Sequence, residues 1–326
     1  MKKLSRVCGV ALAVVVLGMM CAAVARPAFG AAPAAQASAA DPPGGPSPPV
    51  KVRTPAAAAP AAAQPGAKAG TPSAAPWAPK ATAPEAPATS PAHDTTMALI
   101  PAGEFQMGSD GTGDNSPRHA VRLRAFYMDR CEVTNAEYQE FCKATGVSPP
   151  IFWGMDQFRC GPKYPDYPVV GVTWGSAMDY ATWRGKRLPT EAEWECAARG
   201  GLAGMKYVGG DSLDATKVNF TRSGHKGSLP VGSLPPNGFG LYDMAGNVQE
   251  WTADRYDADY YKTSPPEDPK GPEHGRFRVF RGGGWYTGPG CMGVDARNAM
   301  PSNWEDFNVG FRCARDAQPA PAQPAK

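Results

Sequence analysis

The clearest local pattern in the chain is the run Gly185-Lys186-Arg187-Leu188-Pro189-Thr190-Glu191-Ala192-Glu193-Trp194-Glu195. Thr190 is suited to cap the N-terminus of a helix, and Glu193, three residues later, completes a capping box. Gly200 and Gly201 supply the signal that ends a helix. The run therefore predicts a short helix that begins after Thr190 and ends at this glycine pair.

The residues around this run predict few other regular elements. Residues 97–108 read as two short strands around a Pro-x-Gly turn, and residues 119–128 alternate as a further strand. Residues 135–143, and those that follow Trp174, have apolar side chains at helical spacing. Glycine, proline, asparagine and aromatic residues dominate 207–311, which predicts compact irregular structure built on a small sheet.

The composition divides the chain into two unlike parts. Its 326 residues include 37 Gly and 36 Pro, and residues 26–93 are mostly Ala, Pro, Ser and Gly. Only the later part can bury enough apolar surface to offset the entropy of ordering a chain. We therefore expect a disordered Ala/Pro-rich tether over 26–95, one domain over 96–316 and a disordered tail over 317–326.

The first 25 residues read as an export signal. A basic start (Lys2, Lys3 and Arg6) precedes an apolar stretch over 7–25. The small residues of Ala23-Val24-Ala25 suit cleavage by a signal peptidase. The alternative is an uncleaved anchor, because the apolar stretch is nearly long enough to span a bilayer. Either way we expect an exported protein, periplasmic or secreted, that meets a membrane only through such an anchor.

The charge argues against one class of partner. The formal net charge is +3, and no cluster of Lys and Arg interleaves with aromatic residues. Nucleic acid is therefore not an expected partner. We expect the domain to act on or bind another exported protein or peptide.

Six of the eight cysteines lie beyond the export signal. An even number in an oxidising compartment allows up to three disulfides, and the sequence does not choose among the connectivities. The six are Cys131, Cys142, Cys160, Cys196, Cys291 and Cys313.

Seven blocks follow one another in order along residues 97–316. They are Ile100-Pro101-Ala102-Gly103-Glu104-Phe105-x-Met107-Gly108, Glu132-Val133-Thr134-Asn135-x-Glu137-Tyr138, Pro168-Val169-Val170-x-Val172-x-Trp174, the run 185–195, Asn237-Gly238-Phe239-Gly240-Leu241-Tyr242-Asp243-Met244-x-Gly246-Asn247-Val248-x-Glu250-Trp251, Arg281-Gly282-Gly283 and Gly310-Phe311-Arg312. In this order they resemble the formylglycine-generating enzyme (sulfatase-modifying factor) family. The resemblance implies a single α+β domain, a variant of the C-type-lectin-like fold with low regular secondary structure.

One block matches the calcium loop of that family. The matching residues are Asp243, Gly246, Val248 and Glu250. The resemblance implies that two side-chain carboxylates and two backbone carbonyls bind calcium, a hard cation that prefers oxygen ligands. The alternative is that Asp243 caps the turn and Glu250 lies on the surface.

The segment that should carry the chemistry departs from the family pattern. In the family, two cysteines after a Gly-Gly-Ser segment bind Cu(I), which supports O2-dependent oxidation of a substrate cysteine to formylglycine. Here Gly284 stands at the serine position and Thr287 at the first cysteine position. Cys291 falls one residue short of the second. Because Cu(I) favours soft sulfur ligands, the copper pair is incomplete, and Cys291 is the candidate catalytic residue.

The resemblance also places a peptide groove in this region. The candidate groove residues are Trp285, Tyr286, Thr287, Arg297 and Trp304. One hypothesis is an exported enzyme that oxidises a protein or peptide substrate with a metal held in part by Cys291. The alternative is a catalytically silent module that binds a ligand or protein on the same surface. A reactive thiol at Cys291 favours the enzyme, and a disulfide there favours the binding module.

Overall fold

The computed structural model describes residues 97–317. The predicted signal or anchor (1–25), the tether (26–95) and residues 318–326 of the predicted tail lie outside the described residues. Within 97–317 the chain forms nine β-strands, three α-helices and three short 3-10 helices. No helix in this part of the chain is both long enough and apolar enough to cross a membrane.

The order of elements confirms an α+β domain with little regular structure in its second half. The strands are β1 (Met97–Ile100), β2 (Gly103–Met107), β3 (His119–Leu123), β4 (Phe126–Asp129), β5 (Gln249–Arg255), β6 (Phe277–Arg281), β7 (Asn298–Pro301), β8 (Val309–Gly310) and β9 (Ala314–Asp316). The helices are α1 (Asn135–Thr145), α2 (Trp174–Trp183) and α3 (Glu191–Arg199), and the 3-10 helices are Asp156–Phe158, Tyr260–Lys262 and Pro289–Cys291.

The strands form three small sheets. The orders are β1-β4-β9, β2-β3 and β7-β6-β5-β8. Strand β8 lies parallel to β5, and the other pairs are antiparallel. The C-terminal strand β9 joins β4, so both ends of the domain belong to one sheet.

The prediction of one strand over residues 119–128 is wrong, although the two strands predicted within 97–108 are confirmed. Strands β3 and β4 pair in different sheets, and the chain turns between them at Arg124. The backbone N–H of Arg124 donates to Asp268 Oδ1 (3.0 Å), and its guanidinium bonds the same carboxylate. The alternation of polar and apolar side chains along the sequence does not indicate that the strand is interrupted here.

The helix predicted from the run 185–195 is confirmed. The Glu193 backbone N–H donates to Thr190 Oγ1 (3.1 Å), and the Thr190 N–H donates to Glu193 Oε2 (2.8 Å), which is the reciprocal pattern of a capping box. Gly200 ends the helix with φ of 60°, a left-handed conformation that glycine adopts without steric cost.

Helix α3 is buried on nearly all sides, and its acidic residues meet arginines from the second half of the chain. Arg281 Nη1 and Nη2 lie 2.9 Å from Glu191 Oε1 and 2.6 Å from Glu195 Oε2, and all three side chains are almost completely buried. Arg297 binds the other side of Glu191, with Nε 2.7 Å from Oε1 and Nη2 3.0 Å from Oε2. These ion pairs fix the helix against β6 and the segment before β7.

Replacing Arg281 should unfold the domain at much lower denaturant. In Arg281→Met, Glu195 loses its Arg281 partner and Glu191 keeps only Arg297, and breaking a buried pair costs about 3–5 kcal/mol. Urea unfolding followed by tryptophan fluorescence measures this loss. The matched control is Arg276→Met at an exposed position, expected within about 0.5 kcal/mol of the wild type. Equal midpoints for the two variants would contradict a structural role for the buried pairs.

Candidate functional site

The segment after β6 turns back on itself and places its middle residues near the surface. Gly283 has φ of 65°, and a β-carbon there would lie 2.3 Å from Met292 Sδ. Met292 is buried against Val218, Phe220 and Ala245, so its thioether belongs to the core. The residues between Gly283 and Met292 form the loop that the sequence singled out for chemistry.

The Thr287 hydroxyl is held by two donors. Its Oγ1 accepts from the Gly284 backbone N–H (2.9 Å) and from the side-chain amide of Asn308, whose Nδ2 lies 3.1 Å away. Asn308 Oδ1 in turn accepts from the Tyr286 N–H (3.4 Å). A β-carbon on Gly284 would lie 2.4 Å from Asn308 Oδ1, so Asn308 fills the space that a serine side chain would need. Gly284, Thr287 and Asn308 therefore form one hydrogen-bonded unit, which we call the Thr287 lock.

Cys291 lies at the end of the 3-10 helix Pro289–Cys291 and is partly exposed. Its backbone N–H donates to the Gly288 carbonyl (3.1 Å). Among residues 97–317, no group of three or more His, Cys, Asp or Glu side chains is arranged to hold a metal ion. The described residues thus offer Cys291 but no second thiol at the Thr287 position.

The described cysteines form no disulfide with one another. Cys142, Cys160 and Cys313 are buried and pack as small apolar side chains in the core clusters. Burial raises the pKa of the Cys131 and Cys196 thiols to about 12, which keeps both protonated at neutral pH. The predicted disulfide framework is therefore not found in this part of the chain.

Aromatic rings gather beside the Thr287 lock. Phe307 lies with its ring centroid 5.8 Å from Trp285, 5.4 Å from Tyr286 and 5.1 Å from Phe158, and Phe158 lies 4.7 Å from Phe152. We call these five residues the aromatic face. The ring of Tyr286 is prominent on it, since the residue is 55% exposed.

The remaining groove candidates lie in different places. Trp304 is 56% exposed and follows β7, three residues before Phe307. Arg297 is buried: its guanidinium binds Glu191 and lies 4.2 Å from the centroid of the Tyr261 ring. The prediction that Arg297 lines the groove is corrected, because its charge is neutralised in the interior and does not reach the aromatic face.

The two acidic residues of the predicted calcium loop differ in their surroundings. Glu250 is fully buried and its carboxylate accepts three hydrogen bonds: from Arg312 Nη2 (2.7 Å) and Nε (2.8 Å) and from the Trp194 indole N–H (2.8 Å). Asp243 has φ of 58°, and its Oδ2 accepts from the Gly232 N–H (2.7 Å). Glu250 is thus not a surface residue, and its carboxylate is paired with Arg312.

A third carboxylate, Glu132, joins this cluster. Its side chain is buried, Oε2 accepts a long hydrogen bond from Asn247 Nδ2 (3.4 Å), and Oε1 has no hydrogen-bond partner. Burial, followed by the nearby Asp243 carboxylate, raises the pKa of Glu132 well above its ordinary value, and burial also raises that of Asp243. Two neighbouring buried carboxyl groups of this kind favour sharing a proton over carrying two negative charges.

Sequence reasoning missed Asn308 and Glu132. Asn308 directly precedes the closing Val309-Gly310-Phe311-Arg312 segment, and Glu132 opens the block before α1. Each residue lies within or beside one of the seven sequence blocks. The spacing of residues along the sequence, however, does not indicate that either one contacts a distant loop in the fold.

The Thr287 lock should be sensitive to a single added carbon. We expect Gly284→Ala to destabilise the domain by about 1–3 kcal/mol, because the β-carbon meets Asn308. In an Asn308→Ala background the same change should cost less, with a coupling of about 0.5–3 kcal/mol in a double-mutant cycle of urea unfolding. Gly288→Ala is the matched control, since a β-carbon there meets nothing within 4 Å. Additive effects of the two substitutions would refute the lock.

Known proteins resemble this chain over the same region. Residues 82–317 match the family of the sulfatase-modifying factor enzyme 1-like domain. The formylglycine-generating enzyme of Streptomyces coelicolor is 38% identical, over 73% of this chain and 95% of its own length. The serine/threonine-protein kinase pkn1 of Chlamydia pneumoniae is 40% identical over 68% of this chain, and the chain spans only 38% of that kinase.

A solved structure gives the same result for the fold. PvdO from Pseudomonas aeruginosa superimposes with a TM-score of 0.58 and 31% identity, covering 68% of this chain and 94% of PvdO. The expected variant of the C-type-lectin-like fold is thereby confirmed. By sequence and by fold, the chain belongs to the formylglycine-generating enzyme (sulfatase-modifying factor) family.

Proposed function

We propose that this domain is an exported binding module that holds a protein or peptide on its aromatic face and does not generate formylglycine by the two-cysteine copper route. The observation that carries the proposal is the Thr287 lock. A neutral hydroxyl that already accepts two hydrogen bonds stands where the family chemistry needs a second thiolate. Cu(I) is a soft ion, and a hydroxyl oxygen does not replace a thiolate for it.

The aromatic face supplies the binding surface in this proposal. Tyrosine and tryptophan offer large, rigid contact areas at low cost in side-chain entropy, and both are enriched in protein interfaces. Tyr286 is more than half exposed, and Ile151 and Met155, in the same loop as Phe152, are exposed as well. Apolar side chains that cluster at the surface mark a site of interaction more often than scattered ones do.

Export and tethering complete the proposal. The basic start and apolar stretch of the first 25 residues would direct the chain to the periplasm or the outside, cleaved or retained as an anchor. The Ala/Pro-rich composition of residues 26–95 suits an extended spacer that lets the domain reach a partner. The partner is then another exported protein or peptide.

The position of Cys291 favours a second candidate function. This residue is partly exposed and lies four residues after Thr287, in the same loop as Trp285 and Tyr286. An enzyme that oxidises a bound cysteine peptide would place its reactive thiol in such a loop, with the metal held in part by Cys291.

Peptide oxidation separates the two candidates. The full chain is incubated with Cu(I), oxygen and a set of cysteine-containing peptides, and the products are identified by mass spectrometry. We expect no formylglycine, because one of the two thiolates is absent. Formylglycine that forms with the wild type and disappears in Cys291→Ser would overturn the binding module and establish the oxidase.

Selection from a displayed peptide library tests the binding face. We expect the full chain to enrich peptides, and Tyr286→Ala to weaken their capture by about tenfold, since an aromatic anchor contributes more than 1 kcal/mol. Phe277→Ala is the matched control, because Phe277 is an exposed aromatic residue on β6 outside the aromatic face. Equal loss in the two variants, or loss only in the control, would exclude this face.

A further inference from the structure

We infer that the segment held on the aromatic face is an acidic peptide, whose Asp or Glu side chains are bound by the cations of a neighbouring loop. The inference rests on the function proposed above, because it names the class of peptide that the same face holds. The loop spans residues 222–226 and contains Arg222, His225 and Lys226. We call it the basic loop.

The start of the basic loop is bonded to the residue that follows Tyr286. The backbone N–H of Thr221 donates to the Thr287 carbonyl (3.2 Å), and the Thr221 hydroxyl donates to the same oxygen (3.1 Å). Because Arg222 directly follows Thr221, its backbone lies next to the most exposed ring of the aromatic face.

The end of the basic loop is bonded to the residue that follows Phe158, another member of the aromatic face. The guanidinium of Arg159 donates to the Ser228 carbonyl, and a β-carbon on Gly227 would lie 3.1 Å from Arg159 Cζ. The basic loop is therefore fixed at both ends to backbone neighbours of the aromatic face, so that its cations border this face.

The loop is held from inside by one buried amide. Asn219 is fully buried; its Nδ2 donates to the Gly227 carbonyl (3.0 Å), and its Oδ1 accepts from the Ser223 hydroxyl (3.1 Å). The Ser223 N–H in turn donates to the Phe220 carbonyl (2.9 Å). A loop that is ordered before its ligand arrives loses little entropy on binding, which favours affinity.

The permanent cations of the basic loop are available to a ligand. Arg222 and Lys226 are exposed, and neither forms an ion pair with a carboxylate of residues 97–317. Lys217 differs from them, since its ammonium lies 3.4 Å from Asp214 Oδ2. A guanidinium can bind a carboxylate through two parallel hydrogen bonds, and an ammonium adds a compact charge. Carboxylates of a bound peptide complement both groups.

The carboxylates around the aromatic face favour a peptide over an anionic membrane as the ligand. Asp156 pairs with Lys163 (2.5 Å), and burial raises the pKa of Asp306. Glu305, by contrast, is exposed and lies two residues before Phe307. A membrane surface would meet Glu305 together with the cations, whereas a peptide places its acidic residues at the basic loop alone.

Peptide selection on the full chain, followed by synthesis of the selected sequences, tests the inference. We expect the selected peptides to carry Asp or Glu close to an apolar or aromatic residue. Replacing those acidic residues by Asn or Gln should weaken binding by about tenfold, since hydrogen bonds to ionised groups are roughly twice as strong as neutral ones. Added NaCl should weaken the acidic peptides and leave their amide counterparts nearly unchanged.

Charge reversal in the basic loop tests the same contact from the side of the domain. We expect Arg222→Glu and Lys226→Glu each to weaken binding of the acidic peptides by about tenfold or more, because like charges then face each other. Lys217→Glu is the matched control: it makes the same change in net charge at an exposed position outside the basic loop, and it should bind as the wild type does.

The outcomes separate this inference from the function on which it rests. Selected peptides that depend on Tyr286 but show no excess of acidic residues, and that bind Arg222→Glu unchanged, would overturn the inference and leave the binding module standing. If no peptide is enriched, or if Tyr286→Ala does not weaken capture, both fail. Binding to phosphatidylglycerol vesicles that exceeds binding to the peptides and is lost in Arg222→Glu would assign the cations to a membrane and overturn the inference.

Discussion

Arg312 extends its guanidinium into the interior, where it meets Glu250 in a fully buried, two-pronged ion pair. The same guanidinium bonds the carbonyls of Asp129, Arg130 and Tyr242, and Glu250 also accepts the Trp194 indole N–H. The segment before β9, strand β5, the end of β4 and helix α3 therefore meet at one pair of charges. Much of the second half of the chain has no regular structure, so contacts of this kind, rather than ladders of backbone bonds, hold its loops in place.

Local signals in the sequence specify the elements that depend on neighbouring residues. The capping box of Thr190 and Glu193 defined α3 because both partners lie within four residues of each other. The break between β3 and β4 was missed because it depends on Asp268, which is more than 140 residues away from Arg124. The burial of Arg297 was missed for the same reason, since its partner is Glu191 on α3. The order of the seven sequence blocks identified the fold, but it does not reveal which charged side chains pair with one another.

The same distinction between local and long-range information applies to the candidate site. Gly284 and Thr287 could be recognised as departures from the family pattern, because the blocks around them give the register. That the two departures belong together is visible only in the fold, where Asn308 occupies the space above Gly284 and bonds the Thr287 hydroxyl. The two departures from the family pattern, at Gly284 and Thr287, are therefore coupled in the fold. The Gly284 N–H and the Asn308 side-chain amide both donate to the Thr287 hydroxyl.

The sheet β1-β4-β9 has a mechanical consequence. Strands β1 and β9 both lie antiparallel to β4, and Met97 pairs with Asp129 at one end of β4 while Asp316 pairs with Phe126 at the other. The chain thus enters and leaves the domain at opposite ends of the same strand. A force that pulls these two points apart acts along the strands and loads their hydrogen bonds together, in shear, instead of peeling them open one after another. A domain held by one end and pulled through the other would resist extension at the very sheet that closes it.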